Sequence, residues 1–212
     1  MALACAAAGC GPGDQVSDAQ QTRRALAAID GLHQDGFTLG RADAPWTLSV
    51  ISSPTSYELD QLLTLLPGLS DRWLRTGRVR VQIRTPTKAP YAANGDERAV
   101  AGALLAAGLQ GRYWNALVRF VANYSGTVTT PLLRDLLRQS GVPDIARAMR
   151  DRSDAQIRGA LNRADVVARD AHGTGHVIYV LSSAGGAEVD LSRQADKGRL
   201  SEMIGRELAR KG

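Results

Sequence analysis

The chain has 212 residues, of which 44% are apolar and 22% charged. That is long enough for one domain with a sizeable core, and too apolar for a disordered chain. Its formal charge of +5 comes almost wholly from arginine, the lysines being Lys88, Lys197 and Lys211. The arginines sit among Asp and Glu at helical spacing, as in RDRSDAQIRGALNRADVVARD, which is the pattern of solvated helix faces. No basic run interleaved with aromatics is present, so a nucleic-acid surface is excluded. Aromatic residues make up only 5%, leaving Leu, Val and Ala to fill the interior.

At the N-terminus, MALACAAAGCGPGD carries both cysteines, Cys5 and Cys10. The remainder has none, which excludes a stapling disulfide and a thiolate-ligated metal within the domain. Ala7-Ala8-Gly9-Cys10 resembles a bacterial lipobox, where the signal is cleaved before a cysteine that is then acylated. The positive n-region and longer apolar stretch of an export signal are missing, and Ala7 stands where Leu is typical. A truncated or mis-started lipoprotein signal is the expectation, against the plainer alternative of an Ala-rich disordered terminus, because Gly11-Pro12-Gly13-Asp14 then opens a linker as a tether would. Residues 1–21 are assigned to this signal-like segment and linker, and Cys10 to lipidation. The expected location is the cell envelope or periplasm, with the membrane touched only through that anchor. No other segment approaches the length of a transmembrane helix.

Thr22 to Leu32 (TRRALAAIDGL) has a short helical pattern ended by Gly31, within a unit over 22–36. An extended segment from Phe37 follows, then a turn at Ala42 to Pro45 and a strand over Thr47 to Ser52. Leu59, Leu62, Leu63, Leu66, Leu69 and Trp73 share one face of a helix expected from Ser56 to Arg75, with Pro67 predicting a kink near Leu63. RVRVQIR, Arg78 to Arg84, alternates strictly, as a half-buried strand does. Strand, helix, strand implies a parallel pair with a right-handed crossover. From residue 93 to 172 the pattern is helical throughout: two Ala- and Leu-rich helices broken at Gly108 to Gly111, a third capped at Thr130 with Pro131 at its first position, and two more over Pro143–Arg150 and Ser153–His172. HVIYVLSSAGGAEVDL is a hairpin turning at Gly185-Gly186, and Asp196 to Arg210 closes with an amphipathic helix. The order is βαβ, a helical insertion, then ββα, with no internal repeat.

That order is an α/β thioredoxin-like fold, with 37–92 and 173–212 forming the thioredoxin-like domain and 93–172 the all-helical insertion. Local motifs agree. LGRADAPWTLSVISSPTSYELDQLL resembles the opening of DsbA-like thiol oxidoreductases of the thioredoxin_4 type, whose pattern is L-G-x-x-x-A-P-V-T, a hydrophobic strand, then [ST]-D-x-x-C-P-x-C. GRVRVQIR resembles their second strand, AAGLQGRYWNALVRF their A-A-x-x-Q-G-x-F-W insertion helix, and AHGTGHVIYV their G-V-x-G-T-P-x-F-x-V loop and strand. The resemblance spans Phe37 to Arg210. It implies thiol–disulfide exchange at a helix N-terminus, but it places the two redox cysteines at Ser56 and Leu59, with Tyr57 and Glu58 between, and the cis-proline at Gly175. Exchange needs a thiolate of lowered pKa and a second, resolving thiol. A serine hydroxyl stays protonated at neutral pH and forms no reversible link to a disulfide sulfur, and leucine has no chemistry at all.

Two sharper roles compete with plainer ones. Ser56 could stabilise a bound thiolate, as the serine of kappa-class glutathione transferases does on a related fold; against this, Ser56 or Thr55 suits a helix cap. His172 and His176 are four apart, but Gly173-Thr174-Gly175 between them is not helical and no third metal ligand is close in sequence. In a thioredoxin fold the loop at Thr174 to His176 packs beside the helix start, so Ser56, Tyr57, Glu58, Thr174, Gly175 and His176 are expected to form one surface cluster. His176 beside Ser56 would be a nucleophile–base pair in principle, and a hydrogen-bonded loop histidine more commonly. Trp46, Tyr113 and Trp114 are expected in the core, and Tyr57 exposed beside the groove. Glu58 in the first turn would disfavour an anionic ligand there. No metal or cofactor is expected. The function expected is non-catalytic: a DsbA-like envelope protein that binds extended polypeptide or an envelope protein through the vestigial groove. The alternative is a kappa-like, glutathione-dependent transferase using Ser56.

Overall fold

The alternation VRVQIR is what the sheet is built on. In the computed structural model, which describes residues 18–56, 59–88, 96–170, 177–192 and 199–211, strand β4 (Val79–Arg84) buries Val79, Val81 and Ile83 and turns Arg80, Gln82 and Arg84 to the opposite face. The other strands are β1 (Gln34–Asp35), β2 (Thr38–Leu39), β3 (Trp46–Ile51), β5 (Ile178–Ser183) and β6 (Glu188–Asp190). They lie in the order β1-β2-β4-β3-β5-β6. β3 and β4 are parallel, with Leu48 opposite Val81 and Val50 opposite Ile83. β5 runs antiparallel to β3, placing Leu181 opposite Leu48. The segment expected only to be extended is a small hairpin, β1 with β2, turning at Gly36, whose φ of 53° suits glycine.

Eight helices are described: α1 (Asp18–Ile29), α2 (Leu59–Leu69), α3 (Glu97–Gly108), α4 (Tyr113–Asn123), α5 (Thr130–Gln139), α6 (Ile145–Asp151), α7 (Ala155–Asp170) and α8 (Leu200–Lys211). Leu59, Leu62, Leu63, Leu66 and Leu69 all point inward from α2. They join Leu48, Val50 and Val81 of the sheet, Leu104, Trp114 and Leu117 of the insertion, and Ile204 and Leu208 of α8 in one apolar cluster. Each fully buried leucine contributes about 1.5–3 kcal/mol from burial alone, so α2 is held by packing more than by propensity. Tyr113 and Trp114 are buried edge to face, as core aromatics. Trp46 is only half-buried against this core.

Several boundaries differ from the sequence expectation. α1 opens at Asp18, inside the stretch assigned to linker. The single helix expected from Ser56 to Arg75 is instead α2 followed by a π-turn over Ser70–Leu74, closed by Arg75 N donating to Ser70 O at 3.0 Å. The irregularity falls after Pro67, where the Ser70 hydroxyl donates to Ala28 O of α1 at 2.6 Å and fixes that turn to its neighbour. The α5 cap is Thr129 rather than Thr130: its hydroxyl accepts from Leu132 N at 3.3 Å, with Pro131 in the first turn.

The two sheet faces differ in kind. Strand alternation and register put Leu48, Val50, Val81, Ile83 and Leu181 on one face, and Thr47, Ser49, Arg80, Gln82, Arg84 and Ser182 on the other. Near the C-terminal end of α7, Ala168 packs with Ile51 and Ile178 in a small apolar patch on that second face. β3 and β4 end side by side, and their C-terminal edge carries the turn on which the candidate site is built.

Candidate functional site

Past Ile51 the backbone stays tied to its neighbour strand, Ser52 N donating to Arg84 O at 3.1 Å. Ser52 and Ser53 are buried, and Pro54-Thr55 make the turn. Three bonds fix its shape: Thr55 N donates to Ser53 Oγ at 3.3 Å, the Ser53 and Thr55 hydroxyls meet at 3.0 Å, and Ser56 N donates to Ser53 O at 3.2 Å. This is the hydroxyl-supported turn that Ser and Thr favour over helix. Leu59 N then donates to Ser56 O at 3.1 Å, and α2 begins.

The Thr55 hydroxyl donates to Glu97 Oε1 at 3.3 Å. Glu97, in the first turn of α3, is fully buried at 0% exposure. A carboxylate in such a place is costly unless its oxygens meet donors or positive dipoles, and here the Thr55 hydroxyl and the start of α3 supply both. Glu97 was missed at the sequence level, where it stood as one charged residue among several before an Ala-rich helix; nothing in DERAVAGALL marks it as interior. On the β4 side, Thr85 and the phenol of Tyr113 are buried at the same end of the sheet. Burial pushes the Tyr113 phenol well up, against a small lowering from Thr85 beside it, so it is neutral at physiological pH.

Of the expected cluster, Ser56 is placed half-buried just before α2. Tyr57, Glu58, Thr174, Gly175 and His176 lie outside the described residues, as do His172, Cys5 and Cys10. Leu59, which the sequence resemblance aligns with the second redox thiol, is fully buried in the α2 core stripe. No group of three His, Cys, Asp or Glu suited to a metal ion occurs among the described residues. The described part of the site thus offers neutral hydroxyls and one buried carboxylate, a set that fixes backbone and can accept or donate hydrogen bonds. No described helix is long and apolar enough to cross a membrane.

No protein-family model and no curated protein matches the sequence. Solved structures do match by fold. BdbD from Bacillus subtilis, in its oxidised form, superposes with a TM-score of 0.69 at 14% identity, covering 84% of this chain and 97% of that one. A thioredoxin-like oxidoreductase from Silicibacter pomeroyi gives 0.65 at 19% identity over 90% and 98% of the two chains. DsbA2 of Pseudomonas aeruginosa gives 0.58 at 23% identity over 84% and 96%. The near-complete coverage includes the helices between β4 and β5, and with the sheet order it establishes the architecture: the chain has the thioredoxin-like fold with a helical insertion found in DsbA-like thiol–disulfide oxidoreductases.

Proposed function

We propose that this protein is a DsbA-like thioredoxin-fold member that works without a redox dithiol, as a non-catalytic binding or scaffolding module of the cell envelope. The observation that carries this is Leu59. The helix start that would present a resolving thiol presents instead a leucine with no exposed surface, and the sequence has no cysteine after Cys10. Disulfide exchange needs two positioned sulfurs, and hydroxyls at Ser53, Thr55 and Ser56 do not substitute for them. The groove proposed for an extended polypeptide would be formed by Ser56, Tyr57, Glu58, Thr174, Gly175 and His176, with loop backbone pairing to the extended ligand. The oxidoreductase descriptions of the structures similar in fold do not favour the transferase alternative.

An envelope location is supported by the lipobox-like Ala7–Cys10 and by the fold shared with a periplasmic thioredoxin-like protein from Salmonella enterica, with a TM-score of 0.62 at 12% identity. Cys10 would then be acylated, and Cys10→Ala should move the protein from the membrane fraction to the soluble one.

The test uses the full chain and its Cys5→Ala/Cys10→Ala variant, assayed for insulin reduction and for oxidation of a reduced dithiol peptide. Both should stay at background, while a permanently unfolded carboxymethylated protein should bind saturably and lose affinity when Ser56 is replaced by Arg. Turnover that survives in the cysteine-free variant, or binding indifferent to the Ser56 change, would overturn the assignment.

A further inference from the structure

The second face of the sheet carries an unusual arrangement of charge. Arg80, Gln82 and Arg84 project from alternate positions of β4, and Arg163 of α7 stands over them. A groove of about 450 Å3 runs between the β1–β2 hairpin, β4 and the α3 and α7 helices, a size ordinary for a small-molecule site. Arg80 and Arg163 are among its lining, as are Phe37, Leu105, Leu109 and Ile157, and Leu109 is 46% exposed, one of two large apolar side chains so open among the described residues.

Among the described residues no carboxylate pairs with Arg80, Arg84 or Arg163. Arg80 donates to Thr47 Oγ1 and Ala42 O at 2.9 and 2.7 Å, and Arg84 donates to Gln82 Oε1 at 2.8 Å. All three acceptors are uncharged. The carboxylates nearest in the lining are Asp35 at the rim of this groove, and Asp170 and Glu188 in a separate cleft on the far side of Arg84. Burial, and then repulsion from Arg163, hold the Arg84 guanidinium below the usual arginine range. Arg84 and Arg163 line one small cleft that adjoins the groove; like charges so placed are unfavourable by themselves, and an anion beside them relieves the repulsion with charge-assisted, often bidentate, bonds.

We propose that this groove binds a small amphipathic organic anion, a carboxylate or phosphate monoester on an apolar chain, with its head at Arg163 and Arg80, beside the adjoining cleft that Arg84 lines, and its chain along Phe37, Leu105, Leu109 and Ile157. The site lies on the sheet face away from the α2 leucines, so it is independent of any polypeptide groove at the Ser56 turn.

Calorimetric titration of the full chain with decanoate and with decyl phosphate, below micelle-forming concentrations, tests this against decanol, acetate and inorganic phosphate. At least one decyl anion should bind saturably at one site, and the tighter of the two identifies the head group. The uncharged alcohol and the two chainless anions should bind at least tenfold more weakly. Arg163→Gln, a change on an exposed helix surface, should weaken the decyl anion by about tenfold or more, and Leu109→Ser should weaken it without altering inorganic phosphate. Circular dichroism confirms that each variant is folded. Equal binding of decanol, or an affinity unmoved in folded Arg163→Gln and Arg84→Gln proteins, would overturn the assignment, as would failure of both decyl anions to bind.

Discussion

Thr55 donates its hydroxyl to Glu97 Oε1 at 3.3 Å, joining the turn after β3 to the first turn of α3. The bond crosses from the thioredoxin-like core to the helical insertion, so the shape of the turn depends on where the insertion starts. It also gives one oxygen of the fully buried Glu97 carboxylate a donor at the end of the sheet.

Removing the donor and keeping the carboxylate is therefore expected to be the costly change. Thr55→Val should lower stability by about 1–3 kcal/mol, since a buried acceptor loses a partner. Glu97→Gln, which keeps an acceptor oxygen for Thr55, should cost less than Thr55→Val. Urea denaturation of the single variants and of Thr55→Val/Glu97→Gln gives a double-mutant cycle, with an expected coupling of about 0.5–3 kcal/mol. A coupling indistinguishable from zero would mean that the bond does not hold the turn.

Leu59 and Ser56 separate the structural role of this turn from the binding role proposed for it. Leu59→Ala opens a cavity among the α2 leucines and should cost about 2–5 kcal/mol. Ser56→Ala, at a half-buried position outside that stripe, should cost about 1 kcal/mol or less. Thermal or chemical denaturation decides it, and a larger loss at Ser56 would make that hydroxyl part of the scaffold.

The sequence made the strands and their faces legible because the sheet is built by local alternation: VRVQIR buries every second residue, as its pattern requires. The α2 stripe was equally open to inspection, every predicted leucine being interior. What stayed hidden was set by tertiary contact. Glu97 is interior only because α3 begins against the Thr55 turn. The π-turn at Ser70 depends on a hydroxyl reaching Ala28 of another helix. The arginine groove required knowing that α7 crosses the polar face of β4, since Arg163 is distant in sequence from Arg80 and Arg84. At the site itself, Ser56 and Leu59 were placed from motif alignment, whereas the acidic partner had no motif to find.

Tyr113 should impose an alkaline limit on stability. An unfolded phenol ionises near pH 10.0, and burial raises this one in the folded protein. The folded state then retains a proton that the unfolded state releases, so this contribution is full below about pH 10 and is lost progressively as pH rises above it. Tyr113→Phe removes the ionisation while keeping the ring, and should leave stability at pH 7 within about 1 kcal/mol, because little hydrogen bonding is lost. Its stability should fall less steeply than that of the parent between pH 9 and 11, on the same reference scale. Parallel slopes for the two proteins over that range would show that Tyr113 is not the group responsible.

Two helical glycines should respond to alanine with opposite sign. Helix propensity alone favours alanine over glycine by about 1 kcal/mol. At Gly68 in α2 an added Cβ meets no atom within 4 Å, so Gly68→Ala should gain about 0.5–1 kcal/mol. At Gly102 in α3 the same Cβ would lie 2.4 Å from the backbone oxygen of Arg152, which follows α6 and cannot swing aside as a side chain could. The overlap must be relieved by moving α3 away from Arg152, at a cost of about 1–3 kcal/mol for overpacking, which exceeds the propensity gain. Gly102→Ala should therefore be destabilising, and amide exchange should quicken in α3 and α6 before the β3–β4 pair is affected. If both alanines stabilise, or if protection falls uniformly across the chain, the close approach of α3 to Arg152 is not what fixes the insertion.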